Sequence, residues 1–162
     1  MPEVICNTSP LQYLHQLGLI HVLPALVNTI VVPPAVIEEL AVGRLRGVDV
    51  PDAASFVWVS VRIPKGVTAL RLVSDLGPGE AEALMLALES ADPLLIIDDA
   101  LARQKAAALR LPVKGTLGLL LDAKKRGLVD AVKPCLDALQ VLRFRVSPAT
   151  RCAVLALANE KD

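Results

Sequence analysis

Two adjacent acids, Asp98 and Asp99, follow four apolar residues in LLIIDDALAR, residues 94–103. The apolar run predicts a strand buried on both faces, and the acids then open a segment of helical spacing. That handover is the carboxyl end of a strand, where open α/β sheets bind their ligands. Three other segments bring polar groups to similar junctions: Asn7 in NTSPL (7–11), Glu39 in IEEL (37–40) and Glu80 in GPGEAEAL (77–84). In a parallel sheet the carboxyl ends of neighbouring strands share one edge, so these groups are expected to converge. Crowded carboxylates resist joint ionisation, and a hard cation relieves the repulsion. An all-oxygen cluster without His or Cys suits magnesium, held by one or two carboxylates plus water and phosphate oxygens. Such an ion activates water and neutralises charge on a phosphodiester, so hydrolysis of a nucleic acid backbone is the expected chemistry.

Each of these residues taken alone also has a purely structural reading. Asn7 could close an Asx turn or cap a helix, Glu80 could answer a helix dipole, and Asp98 or Asp99 could be an N-cap. Glu39 could be a solvated flank. The joint pattern is what points to a site.

Other chemistries lack their residues. The chain contains neither GxxxxGK[ST] nor GxGxxG, which removes both familiar nucleotide cradles. His15 and His21 lie in an apolar region and read as core-edge residues. Ser9 and Ser147 have no patterned His and Asp partners. A receiver-like phosphoacceptor built from Asp98, Asp99, Thr116 and Lys114 has its acids in the wrong strand order.

The elements that must position the acids follow from the hydrophobic pattern. Residues 3–6 predict a first strand ending at Asn7. A helix carrying Leu11, Leu14 and Leu17 on one face follows and stops at Gly18. A short helix near 20–26 precedes a second strand at 29–32, which Pro33 ends; Pro34 suits the first turn of the next helix. In that helix Val36, Ile37 and Leu40 set the buried direction, Glu39 lies beside it, and Glu38 points away. Residues 41–54 read as a surface excursion, 56–63 as a third strand, and 69–73 as a helical turn. Helices are expected over 80–90, from Asp99 to about 109, after Gly115 and Thr116 up to Lys125, over 133–142 and over 148–159, with a last short strand at 112–114. Strands alternating with helices imply an α/β fold, a mostly parallel central sheet flanked by helices on both faces.

Composition sets the outer bounds. The 162 residues suit one domain, 1–162, with a C-terminal helical segment (about 130–162) packed on it. Hydrophobic residues reach 54% against 2% aromatic, so the core must be aliphatic. A mean hydropathy of +0.53 suggests apolar surface covered by a partner or second copy. Net charge is zero, so any nucleic acid must be met by local clusters such as Lys124, Lys125 and Arg126, or Arg143 and Arg145. Cys6, Cys135 and Cys152 share no close spacing and read as buried thiols in a reducing cytoplasm. Asn7, His21, Pro24, Asn28, Pro33 and Pro34 interrupt the uncharged stretch 4–37, which argues against a membrane-spanning helix.

The order NTSPL, VPPAVIEEL, LGPGEAEALMLA, LLIIDDALAR, VKGTLGLLLDAKKRG resembles the PIN-domain family from Val4 to about Val146. The resemblance implies a PIN-like parallel sheet and a Mg2+- or Mn2+-dependent endoribonuclease, the toxin of a VapC-type toxin–antitoxin pair. It places the family's four acidic positions on Asn7, Glu39, Glu80 and Asp99, with Asp98 as an extra neighbour and Ser9 and Thr116 as polar support. It further implies a cytoplasmic homodimer with an RNA substrate and a small cognate antitoxin. Asn7 departs from the family, since most active members carry Asp there. An amide carbonyl coordinates a hard cation more weakly than a carboxylate. The alternative reading is therefore a catalytically degenerate PIN-like module that binds RNA or a protein partner.

Overall fold

The computed structural model describes residues 1–66 and 75–162; the helical turn expected near 69–73 lies outside the described residues. Five strands form one parallel sheet: β1 (Glu3–Cys6), β2 (Ile30–Val32), β3 (Val59–Val61), β4 (Pro93–Ile96) and β5 (Val113–Lys114). Their order is β3-β2-β1-β4-β5. Eight helices surround it among the described residues: α1 (Thr8–Gln16), α2 (Val22–Val27), α3 (Pro34–Leu45), α4 (Pro78–Glu89), α5 (Ala100–Ala108), α6 (Thr116–Lys125), α7 (Lys133–Val141) and α8 (Pro148–Leu157).

Successive side chains of a strand point to opposite faces, and the core divides accordingly. Val4, Cys6, Ile30, Val32 and Ile96 join one cluster with Leu11, Leu14, Val36, Leu119, Leu136, Leu139 and Val154. Ile5, Val31, Leu95 and Ile97 join the other, under Ala83, Leu84 and Ala87 of α4 and Ala102 and Ala106 of α5. The sheet is thus covered on both faces, as the apolar runs predict. Strands β2 and β3 extend the sheet to one side of β1, whereas β4 and β5 extend it to the other. The order of the chain therefore reverses between β1 and β4, the place where such sheets form a ligand crevice. Cys6 is in register with Ile96, and the Asn7 amide donates to the Ile96 carbonyl at 3.0 Å. Asn7 and the Asp98-Asp99 pair consequently emerge side by side.

Three expectations need revision. Residues 41–54 are a surface excursion only in part: Arg44 to Asp49 are exposed, but α3 runs through Gly43 to Leu45, and Val50 and Ala53 are buried. Gly43 is there for room, because a Cβ would come within 3.3 Å of the Val50 side chain. The third strand shrinks to Val59–Val61, because a 3-10 turn at Ala53–Ser55 precedes it and the ladder to β2 covers only Ile30 to Val32. Cys152 is exposed on α8, whereas Cys6 is buried. Among the described residues no helix is long and apolar enough to cross a membrane.

One device ends six of the helices. After α1, α3, α5, α6, α7 and α8 a residue of positive φ turns the chain: Gly18, Gly47, Arg110, Gly127, Arg143 and Asn159. In each, its amide and the next return to carbonyls of the last turn; for α7, Arg143 donates to Gln140 at 3.0 Å and Phe144 to Leu139 at 2.9 Å. This is the Schellman arrangement, which favours glycine at the turning residue.

Candidate active site

Asn7 is the residue at which the structural and functional readings separate. It occupies the N-cap position of α1, yet its side chain makes no capping bond. It is 2% exposed, and its Oδ1 is buried without a hydrogen-bond partner. A buried acceptor left unmade costs about 1–3 kcal/mol, so the fold has given up stability at this atom.

Glu39 shares that ground. Helical spacing turns it inward while Glu38 is exposed. Its Oε1 accepts from the Gly79 amide at 2.8 Å and its Oε2 from the Thr8 hydroxyl. A Cβ on Gly79 would lie 2.7 Å from both Glu39 oxygens and 2.9 Å from Asn7 Oδ1. One buried backbone position thus brings the two side chains together, and only glycine leaves the space between them free.

Glu80 follows in the first turn of α4. Burial pushes its carboxyl above the ordinary range, and the negative charges of Glu39 and Asp99 push the same way; its own backbone amide and the Asn7 side chain oppose them. Glu80 also wraps over Gly77, where a Cβ would meet its Oε2 at 2.6 Å.

The two aspartates divide their labour. Asp99 is exposed and caps α5, with Oδ2 accepting from Ala102 at 2.9 Å. Asp98 is committed to Thr116: its Oδ1 accepts from the Thr116 amide at 2.7 Å and its Oδ2 from the Thr116 hydroxyl at 2.6 Å. Burial raises the Asp98 carboxyl and the Thr116 donors resist that shift, with the nearby Arg103 charge adding to them. Asp98 therefore ties the end of β4 to the start of α6. Thr116, expected as polar support, supports the site through it.

A cavity of about 470 Å³ opens on this edge, walled by Ser9, Glu80, Asp98 and Asp99 together with Tyr13, Arg143, Phe144 and Arg145. Sequence spacing could have added Tyr13, which lies four residues beyond Ser9 on the same face of α1. Thr8, Gly79 and Phe144 carried no local signal. The other basic cluster, Lys124 to Arg126, ends α6 about 15 Å from Thr116 at 1.5 Å per residue. There Lys125 and Arg126 wall a separate cavity of about 320 Å³ beside Val4 and Leu94, at the starts of β1 and β4. His15 bonds Asp49 at 2.9 Å.

Among the described residues no three His, Cys, Asp or Glu side chains stand together closely enough to hold a metal ion. The carboxylates are engaged with protein donors: Glu39 with Gly79 and Thr8, Asp98 with Thr116, Asp99 with Ala102. The donor set nevertheless fits a hard divalent cation, because an orphaned amide oxygen faces a group made only of carboxylates.

No curated protein and no solved structure matches the chain significantly. A sequence profile described as a PIN domain matches residues 3–160. Nearly the whole chain, from the first residue of β1 to beyond the end of α8, is covered by that match. The chain belongs to the PIN-domain family, a nuclease-type fold whose members generally use divalent metals.

Proposed function

We propose that this chain is a Mg2+- or Mn2+-dependent endoribonuclease with its centre at Asn7, Glu39, Glu80 and Asp99. The observation that carries the reading is the buried, partnerless Oδ1 of Asn7 beside the Glu39 carboxylate. No donor of the described residues uses that oxygen, and a bound cation would answer it. A bound divalent ion supplies neutralisation of the phosphodiester and acidity to water. Asn7, Glu39 and Asp99 would hold it. Glu80, whose carboxyl is raised above its ordinary value by burial, is suited to accept a proton. Asp98 and Thr116 keep the two strand ends aligned, and Ser9 faces the substrate from the cavity wall. In the same reading the chain is the toxin of a toxin–antitoxin pair, a cytoplasmic homodimer inhibited by a small antitoxin. Exposed apolar residues such as Leu45 and Val141 supply surface for such partners.

Cleavage of a single-stranded RNA by the full chain, with Mn2+ or with EDTA, tests the proposal. Wild type is expected to cut only with the ion, and Asp99→Asn to lose that activity. Equal cleavage by both proteins, or cutting in EDTA, removes the assignment.

The neutral amide at Asn7 favours a second reading, a PIN-like module that binds RNA or a protein and no longer cuts. Calorimetric titration with Mn2+ separates the two. Binding by wild type supports the enzyme, whereas binding seen only in Asn7→Asp supports the module.

A further inference from the structure

Among the described residues six helices end on the same backbone turn, and at three of them the residue of positive φ is the glycine that the turn prefers. After α7 it is Arg143, with φ of 69°. Arg110 after α5 and Asn159 after α8 take the same conformation away from this cavity, so what sets Arg143 apart is its place. Arg143, Phe144 and Arg145 all wall the cavity that also holds Glu80, Asp98 and Asp99.

The local packing fixes how the two arginines are presented. Phe144 packs edge-on against Tyr13 of α1, ring centres 4.9 Å apart at 89°, and joins the core cluster that contains Leu139. It is the apolar anchor of the turn, and Arg143 and Arg145 on either side of it are exposed. Among the described residues neither guanidinium meets a carboxylate, whereas Arg151 nearby in sequence is taken up by Asp137 and Asp162. Two unneutralised cations thus border a cavity whose other wall is acidic.

We propose that Arg143 and Arg145 form a phosphate grip that holds the RNA backbone on the nucleotides flanking the bond over the acidic group. The proposal rests on the nuclease reading for its substrate but makes a separate claim about binding. An acidic wall alone repels a polyanion. Two guanidiniums at its edge reverse that for the neighbouring phosphates, to which Arg bonds in a bidentate manner. Such contacts position the strand without reading its bases.

The turn supplies its own control. Arg143→Gly and Arg110→Gly make the same chemical change in the same backbone motif, and only Arg143 lies on the cavity wall. Binding of a labelled single-stranded oligouridylate is measured by anisotropy over a salt series, in an Asp99→Asn host with EDTA so that the RNA stays intact. Arg143→Gly is expected to weaken binding about tenfold and to lower the salt slope by about 0.7, with a melting temperature equal to or above the host's. Arg145→Ala should act in the same direction, and Arg110→Gly should leave affinity and slope unchanged. Equal binding by the Arg143 and Arg110 variants overturns the proposal, as does a host that binds no RNA at low salt. Metal-dependent cleavage by the wild-type chain is scored separately. Cleavage unaffected by Arg143→Gly removes only the grip, whereas grip-dependent binding without any cleavage removes only the nuclease.

Discussion

The carboxylate of Glu160 and that of Glu80 show two uses of the same chemical group. Glu160, just past α8, accepts from the Val132 amide at 2.7 Å, the Lys133 amide at 3.0 Å and the Lys124 ammonium at 2.9 Å. Those donors, led by the Val132 amide, hold its carboxyl down at about 2. Glu80 lies among Glu39, Asp99 and a buried amide oxygen that nothing satisfies, and its carboxyl is pushed up. One region is saturated with donors and clasps the C-terminal segment to the start of α7. The other is short of donors and crowded with like charge. Among the described residues the buried side-chain polar atoms elsewhere are satisfied and this one is left wanting, which marks a place kept for a purpose other than stability.

Glu80→Gln gives the contrast its largest test. Under the proposed function this substitution removes the group inclined to take a proton, and metal-dependent RNA cleavage is expected to fall about 100- to 1,000-fold, or roughly 3–4 kcal/mol in barrier. Thermal unfolding should show the protein unchanged or slightly more stable, because a repelling charge has gone. Loss of activity accompanied by a comparable loss of stability would mean that Glu80 is a structural residue like Glu160.

The converse change sharpens the comparison from the other side. Glu160→Gln keeps the shape but weakens three charge-assisted bonds, and should cost about 2 kcal/mol in urea unfolding. Activity per folded molecule should stay at the wild-type level. An equally stable variant would show that the C-terminal segment is held by Leu136, Leu139, Val154 and Leu155 alone.

Asn7→Asp probes the orphaned oxygen itself. Placing a fourth negative charge beside Glu39 and Glu80 should destabilise the metal-free protein by about 1 kcal/mol. It should also make the melting temperature respond more strongly to Mn2+ than the wild type's does, since a ligand that binds only the folded state stabilises it. A variant indifferent to Mn2+ would separate the acidic group from metal altogether.

Much of this arrangement is legible in the sequence because its signals are local. Continuous apolar runs in the strands, Pro34 opening α3 and Gly18 closing α1 all act within a few residues, and the spacing of Val36, Ile37 and Leu40 suffices to turn Glu39 inward. What is not legible depends on contacts between distant segments. Gly43 reads as a breaker in isolation, yet it continues a helix because Val50 packs where its side chain would be. The division between Asp98 and Asp99 is decided by the Thr116 amide and hydroxyl at the start of α6, and no property of the DD pair foretells it. The turn after α7 reaches the cavity only because Phe144 finds Tyr13 at the other end of the chain. Arg143 stands, like Arg110 and Asn159, at a position where the local rule asks for glycine, so only its place on the cavity wall distinguishes it, and that place is not written in the turn.

The smallest effect separates the two carboxylates by pH alone. Glu160 is depressed in the folded state, so its contribution is present above its ordinary value of 4.5 and is lost as pH falls from there toward about 2. Glu80 is raised, so its contribution has the opposite sign: it is complete below 4.5 and is lost as pH climbs through the elevated folded value. Urea midpoints measured across the acid range should therefore lose part of their low-pH slope in Glu160→Gln, and gain stability only above 4.5 in Glu80→Gln. The Glu80 difference is expected to be about 1 kcal/mol or less, since solvent reaches that site, and the Glu160 difference is the part of its about 2 kcal/mol that is lost within the acid range measured. If the two substitutions altered the same limb of the profile in the same direction, saturation by donors and crowding by like charge would have the same consequence for folding. The distinction between the clasp and the site would then have no physical basis.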